Sequence, residues 1–152
     1  MSRSSKVGSR REFGSAIERT YRAEGTDITP GMLLEIDSIA ADGTPVVKPQ
    51  TSTGKVAVRI AMEKATGSTT EREEPKDVDY TEEDDEVRAY VLRPGEGDEN
   101  GIGQDDISAG DYIMSNGDGT FQAYTDEDEG VKLGVALEDV DEDGDRFEYE
   151  VI

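Results

Sequence analysis

Residues 107–152 carry the sequence ISAGDYIMSNGDGTFQAYTDEDEGVKLGVALEDVDEDGDRFEYEVI, and this stretch decides the predicted fold. Its short apolar runs alternate with turns made of Gly, Asp and Asn. Apolar runs of this length predict β-strands, and Asn-Gly or Asp-Gly between them supplies the positive φ that a tight hairpin turn requires. The stretch therefore predicts a small antiparallel β domain.

The same alternation continues upstream to about residue 26. Four further strands are predicted there, at residues 32–36, 46–49, 55–62 and 87–92. The polar stretch Glu63–Glu86 is predicted to be a long exposed acidic loop, and a second loop is predicted from Arg93 to Gly103. Little of the chain has the period of an amphipathic helix, and residues 15–24 are the best helical candidate.

A faint internal repeat relates two parts of the chain. The segment Asp27-Ile28-Thr29-Pro30-Gly31 matches Asp106-Ile107-Ser108-Ala109-Gly110. Each segment is followed by an apolar run and then by Asp-Gly-Thr, at 42–44 and at 118–120. The repeat predicts a turn, a strand, a tight turn and a return strand that are used twice, and chance similarity is the alternative.

The composition excludes several classes of function. Only 33% of the residues are hydrophobic and 35% are charged, which favours a small core with long solvated loops. The chain has no His, Cys or Trp, so zinc sites built on His or Cys, cysteine nucleophiles, histidine bases and disulfides are excluded. With 37 acidic residues, pairs of carboxylates arise at random and do not indicate a glycosidase. We predict neither an enzyme nor a cofactor.

The chain also lacks the signals of a membrane protein. It contains no run of about 18 apolar residues that would predict a transmembrane helix. Its N-terminus has no apolar stretch typical of a secretory signal. We therefore predict no membrane partner and synthesis in the cytoplasm.

The net charge of −21 leaves two interpretations open. Low hydrophobicity with a high net charge is typical of a disordered chain. It is equally typical of a folded protein in molar salt, where the Debye length falls to about 3 Å and self-repulsion is screened. The strand-like runs favour the second interpretation and a halophilic source. Like charges repel, so we predict no nucleic-acid partner.

The basic residues concentrate at the N-terminus. Residues 1–22 hold six basic and two acidic residues, a net charge of +4, whereas the remaining residues carry −25. We predict a flexible basic arm at 1–25 and a β-rich domain at 26–152. The arm is either a solvated tail or a segment that becomes ordered on an acidic partner. Its candidate binding residues are Arg3, Lys6, Arg10, Arg11, Arg19 and Arg22.

The turn at 139–150 fits the calcium-loop pattern of an EF-hand, with acids at positions 1, 3, 5 and 12 and a glycine at position 6. Its context argues against a calcium site, because Phe147, Tyr149 and Val151 alternate like a strand. Position 8 holds Arg146, where an apolar residue is usual. We predict a polar turn and no specific metal site; the weak candidate ligands are Asp139, Asp141, Asp143 and Asp145.

Three segments carry a resemblance to a known family, at residues 106–113, 116–121 and 134–140, and a final apolar strand at 146–152 follows them. Together they resemble the capsid decoration (cement) proteins of tailed viruses, including the small cement proteins of the lambda-decoration type. The resemblance covers about residues 26–152 and is strongest from residue 105. Residues 63–86 depart from it through their acidic content.

This resemblance implies a small antiparallel β-barrel or sandwich-like module that forms a homotrimer. The module would bind the major capsid protein on the outer surface of the virion, at local threefold positions, and stabilise the shell. With the acidic composition, it implies a haloarchaeal tailed virus. Two alternatives stay open: a halophilic β-barrel that binds an ion or a small ligand, and another virion component such as a tail protein.

The charge yields a first prediction. Screening of 37 acidic residues should stabilise the folded state, so the melting temperature should rise steeply between low and molar KCl. Circular dichroism at a series of KCl concentrations measures it. A melting temperature that stays constant over this range would contradict the halophilic interpretation.

Overall fold

The computed structural model describes residues 17–25, 27–51, 58–63, 79–80, 85–126 and 130–152. Within these residues ten strands form two five-stranded sheets that pack as an open sandwich. The prediction of a mainly β, sandwich-like fold is confirmed, and the sheets do not close into a barrel. No helix in the described part of the chain is long and apolar enough to cross a membrane.

The first sheet has the order β2-β3-β1-β5-β4. Its β1 and β3 pair in parallel, whereas its other pairs are antiparallel. The strands are β1 (Ile17–Ala23), β2 (Leu34–Ile39), β3 (Pro45–Pro49), β4 (Val58–Ala61) and β5 (Glu86–Leu92).

The second sheet is wholly antiparallel and has the order β6-β10-β9-β7-β8. Its strands are β6 (Gly97–Ile102), β7 (Tyr112–Ser115), β8 (Phe121–Ala123), β9 (Gly134–Ala136) and β10 (Arg146–Val151). The predicted strands at 32–36, 46–49, 55–62 and 87–92 correspond to β2 to β5 where they fall on described residues.

The start of β1 corrects the predicted boundary of the arm at residue 25. Residues 17–23 are the central strand of the first sheet, with β3 on one side and β5 on the other. Tyr21 and Ala23 are buried, and this burial outweighs the charged composition that suggested an arm or a helix. The helical candidate at 15–24 is therefore wrong over its described residues, and residues 1–16 lie outside the described part of the chain.

The main core lies between the two sheets. From the first sheet it receives apolar side chains of β4 and β5, such as Ile60 and Leu92, and from the second sheet it receives a cluster of three aromatic rings. Phe121 lies 5.6 Å from Phe147 and 4.7 Å from Tyr149, measured between ring centroids. Because aromatic rings bury large areas, these three residues fill most of the centre of a small sandwich.

A second core covers the other face of the first sheet. It contains Tyr21, Val87 and Ala89, and it is closed by Ile28 and Tyr80. The backbones of Ile28 and Tyr80 form an isolated antiparallel bridge, and the Tyr80 hydroxyl donates to the Met62 carbonyl at 2.8 Å. Tyr80 is thus buried within the stretch predicted as an exposed loop at 63–86, while residues 64–78 and 81–84 lie outside the described residues.

The loop predicted from Arg93 to Gly103 is wrong over most of its length. Residues 97–102 form β6, an edge strand of the second sheet, and every one of them is buried. Composition misleads here because Ile102 is the only residue of GDENGI that favours a strand. The pairing with β10 overrides it: a Cβ atom at Gly101 would lie 2.7 Å from Tyr149, so only glycine fits under that ring.

The internal repeat is a structural repeat. In the first copy Met32 N donates to the Thr29 carbonyl at 3.0 Å, and in the second copy Asp111 N donates to the Ser108 carbonyl at the same distance. Both turns contain a glycine with positive φ, at Gly31 and Gly110. A β-hairpin follows each turn: β2–β3, the first hairpin, and β7–β8, the second hairpin.

The tips of the two hairpins also have the same structure; the first tip is residues 40–44 and the second tip is residues 116–120. In the first tip Ala40 N donates to the Thr44 carbonyl at 2.8 Å, and Thr44 N donates to Asp42 Oδ1 at 3.0 Å. In the second tip the equivalent distances are 2.9 Å and 3.0 Å. The short Asp-Gly-Thr match therefore encodes one turn that the chain uses twice.

The packing of β6 yields a second prediction. Gly101→Ala should lower the free energy of unfolding by about 1–3 kcal/mol, because the new methyl group would overlap the Tyr149 ring. Gly25→Ala is the matched control, since a Cβ atom there would have no neighbour within 4 Å in the part of the chain that the structure describes. Denaturant unfolding in molar KCl measures both. Equal stabilities of the two variants would show that β6 does not pack under Tyr149.

Candidate functional site

The predicted arm residues divide into two groups. Arg19 and Arg22 belong to β1, and the Arg22 guanidinium is paired with the carboxylate of Asp42 in the first tip. Hydrogen bonds from Thr44, with a smaller contribution from the Arg22 charge, lower the pKa of Asp42. Arg22 therefore stabilises the chain's own hairpin. The other four candidates, Arg3, Lys6, Arg10 and Arg11, lie outside the described residues.

The acidic turn that follows β9 uses carboxylates to hold backbone amides. Ala109 N donates to Asp139 Oδ1 at 2.7 Å, and Asp105 N donates to Asp143 Oδ1 at 2.8 Å. The turn thereby closes over the loop that precedes β7. Its continuation is β10, the strand predicted from the alternation at 147–151.

The described residues contain no group of three or more acidic side chains arranged to hold a metal ion. Among the candidate ligands, Asp145 Oδ2 accepts a hydrogen bond from Glu142 N at 3.3 Å, and Asp141 is exposed. Three of the four candidate carboxylates, Asp139, Asp143 and Asp145, thus accept backbone hydrogen bonds. These bonds support the predicted polar turn.

A buried carboxylate in β6 was not predicted from the sequence. Asp98 is 1% exposed and accepts hydrogen bonds from the Tyr149 hydroxyl and from Asn100 N, both at 3.0 Å. Burial raises the pKa of Tyr149 well above its usual range, and the neighbouring Asp98 charge raises it further. Tyr149 thus stays a hydrogen-bond donor at all ordinary pH values, which is what a buried carboxylate requires.

Arg146, which argued against a calcium loop, joins the turn of the first copy to the second sheet. Its Nη1 donates to the Pro30 carbonyl at 2.5 Å and to the Asn100 carbonyl at 2.8 Å. A Cβ atom at Gly31 would lie 2.3 Å from this Nη1, so the arginine reaches both carbonyls only because residue 31 has no side chain. This contact fixes the turn of the first copy against β6 and β10.

A direct contact between the two copies of the repeat is made by the second tip. Leu33 N donates to the Gly119 carbonyl at 2.8 Å, and Gly119 N donates to the Gln50 carbonyl at 3.2 Å. A Cβ atom at Gly119 would lie 3.2 Å from Met32 and from Pro49. The glycine of the second tip therefore sits directly on the base of the first hairpin, formed by Met32, Leu33, Pro49 and Gln50.

A pocket of about 320 Å³ lies at the base of the second hairpin. Its lining residues are Gly110, Asp111, Tyr112, Ala123 and Tyr124. The ammonium group of Lys132 lies 4.4 Å from the Tyr112 ring centroid and 5.0 Å from that of Tyr124, and both distances are within cation–π range. The pocket thus combines two aromatic rings, a carboxylate and a nearby cation, a combination suited to binding.

The chain matches no protein-family model, and its sequence finds no match among curated proteins. The function is therefore argued from the fold, the charge distribution, the contacts between the repeats and the pocket.

The buried Asp98–Tyr149 pair yields a third prediction. Tyr149→Phe should lower the free energy of unfolding by about 1–3 kcal/mol, because it removes the hydrogen bond that the buried Asp98 carboxylate accepts from the tyrosine hydroxyl. Tyr124→Phe is the matched control, since the Tyr124 hydroxyl donates at 2.7 Å to an exposed carboxylate of Asp126. Denaturant unfolding at neutral pH compares them. A loss of stability that is equal in both variants would contradict the role given to burial.

Proposed function

We propose that this protein is a structural component of a tailed-virus particle. It binds the outer surface of the capsid as a homotrimer and stabilises the shell through contacts with the major capsid protein. The proposal is supported by the resemblance to decoration proteins, which rests on residues 106–140, and by a fold whose core is filled with aromatic and aliphatic side chains. Binding of this kind needs only shape, apolar contacts and hydrogen bonds.

The observation that carries the proposal is the distribution of charge about β1. Residues 1–16 contain four basic residues and one acidic residue, whereas residues 17–152 contain 12 basic and 36 acidic residues, a net charge of −24. The basic segment is joined directly to the central strand of the first sheet. An acidic capsid surface would attract this segment and repel the body, so the segment is the natural point of attachment.

The charge of each arm residue would contribute little by itself. An exposed ion pair contributes on the order of 0–1 kcal/mol, and salt weakens it further. Three copies of the segment on one trimer bind together, and the second and third attachments then gain from a high effective concentration. Attachment by several weak contacts is suited to a protein that covers many equivalent positions on a shell.

A second candidate is a module that binds an ion or a small ligand. The observation that favours it is the pocket lined by Tyr112 and Tyr124, whose volume of about 320 Å³ is at the small end of the range for ligand sites. The composition of purified virus particles distinguishes the two candidate functions. Mass spectrometry of purified virions should find this chain in a fixed ratio to the major capsid protein, and its absence from particles would contradict the first proposal.

The arm yields a fourth prediction. Deletion of residues 1–16 should leave the melting temperature unchanged, because the described sheets begin at Ile17, and should weaken attachment to capsids. A longer deletion would remove β1 and test folding instead. Co-sedimentation with undecorated capsids at increasing KCl concentration measures attachment.

The matched control for this deletion keeps the length of the segment and removes its charge. It replaces Arg3, Lys6, Arg10 and Arg11 with glutamine. Attachment lost in both variants assigns binding to charge, and attachment lost only in the deletion assigns it to the backbone of the segment. Full occupancy and unchanged salt resistance in both variants would show that the segment is not a capsid contact.

A further inference from the structure

The bases of the two hairpins are equivalent positions of the repeat. In the first hairpin Leu34 pairs with Pro49, and in the second Ile113 pairs with Ala123. One step further from the tip, Gln50 N donates to the Leu33 carbonyl at 2.9 Å. The same bond joins Tyr124 N to the Tyr112 carbonyl at 2.8 Å in the second hairpin.

This correspondence relates the pocket to a site that is already filled. The base on which Gly119 sits consists of four residues, and each has a counterpart in the pocket. In chain order, Met32, Leu33, Pro49 and Gln50 correspond to Asp111, Tyr112, Ala123 and Tyr124. The molecule therefore has two equivalent bases: one holds a tip, and the other is an open pocket.

The molecule also has one tip that docks on neither base. The first tip has the same turn as the second, and its Gly43 has a φ of 88°, close to the 91° of Gly119. A Cβ atom at Gly43 would have no neighbour within 4 Å among the described residues. Residues 37–39 and 45–46 have no counterpart in the second hairpin and carry the first tip outward from the sandwich.

We propose that the first tip of one copy docks in the pocket of a second copy of this chain. The contact would reproduce between molecules the contact that the second tip makes within one molecule. One pair of opposite charges is available to the contact, between the exposed ammonium of Lys132 beside the pocket and Asp42 of the tip, which also pairs with Arg22 of its own chain. The Asp111 carboxylate of the pocket opposes Asp42, so the shape of the turn and the two tyrosine rings carry the contact. The exposed Ile39, at 61%, would be partly covered by the neighbouring copy.

The symmetry of this contact determines what it builds. The contact joins two different surfaces, the tip of one copy and the pocket of the next, so it is head-to-tail. When the same contact is repeated from copy to copy, it closes a ring if the rotation between neighbouring copies allows closure. A ring of three copies is the homotrimer of the proposed function, and the inference uses that self-association but not the capsid. It is therefore tested on purified protein in molar KCl, where failure of capsid binding has no effect on the result.

The first test blocks the tip. Gly43→Asn adds a side chain where the equivalent Gly119 has neighbours at 3.2 Å, and Asn tolerates positive φ. Gly144→Asn is the matched control, with a φ of 91° and no neighbour within 4 Å. Light scattering should show that the Gly43 variant reaches half-assembly only at a protein concentration at least about tenfold higher than the wild-type protein needs. Assembly equal to that of the control, or wild-type protein that stays monomeric, overturns the proposal.

The second test uses mixing. Tyr112→Ala removes a ring from the pocket and keeps the tip, whereas Gly43→Asn keeps the pocket and alters the tip. At the concentration where wild-type protein is half-assembled, each variant alone should be monomeric, and a mixture should form one-to-one pairs as its concentration is raised, because one intact tip and one intact pocket remain. Pairs detected by light scattering support the head-to-tail contact. A mixture that stays monomeric overturns it.

A third test leaves both turns unaltered. The chain has no cysteine, so two introduced cysteines report one contact. A Cβ atom at Gly117 of the second tip would lie 3.6 Å from the Thr51 carbonyl, and the equivalent residues of the proposed contact are Ala41 and Thr125. Ala41→Cys in the tip and Thr125→Cys beside the pocket, made on separate chains, should therefore form a disulfide-linked pair under mild oxidation. The control pairs Ala41→Cys with Glu86→Cys, an exposed position at the start of β5. Equal yields from both mixtures overturn the proposal even if the glycine variants fold poorly.

Discussion

The close approach of Gly119 to the base of the first hairpin is the contact on which the arrangement of the two sheets depends. The backbone of Gly119 bonds to both Leu33 and Gln50, and a Cβ atom at this position would press on Met32 and Pro49 at 3.2 Å. Thr120 and Phe121 follow at once, so the same contact places the Phe121 ring in the aromatic cluster with Phe147. The position of one glycine thus couples the hairpin tip to the centre of the core.

Several carboxylates of this highly charged chain stabilise its turns and loops by hydrogen bonding. Asp42, Asp118, Asp139 and Asp143 each accept a hydrogen bond from a backbone amide in a turn or a neighbouring loop. Acidic residues therefore replace some of the stabilisation that a larger apolar core would provide. Their mutual repulsion remains, which is why screening by salt is expected to matter for this fold.

Strands with an apolar alternation could be predicted from the sequence, whereas two strands rich in charge could not. β1 was missed because only Tyr21 and Ala23 are buried, and the serines and arginines upstream resemble a tail. β6 was missed because its residues are those of a turn, and only its partner β10 makes them a strand. Both errors occur where tertiary contacts override composition, which no local pattern reveals.

The candidate site, too, could be predicted from the sequence only in part. The Asp-Gly-Thr match in the sequence was enough to predict two like turns, and their hydrogen bonds agree closely. The pocket was not predicted, because it depends on which base a tip occupies. Lys132 and Tyr124 belong to one site only through the pairing of β7 with both β8 and β9.

The chemistry of the two bases differs in the direction that their roles require. The filled base is built from Met32, Leu33, Pro49 and Gln50, of which Leu33 and Gln50 are almost wholly buried. The open base presents Asp111 and Tyr112 instead, and Tyr112 is 47% exposed. A permanent contact inside a chain can be apolar, because it never faces water. A surface that meets water before its partner arrives must be more polar, and tyrosine is suited to both conditions. The divergence of the second base from the first is therefore what a contact between separate molecules would select.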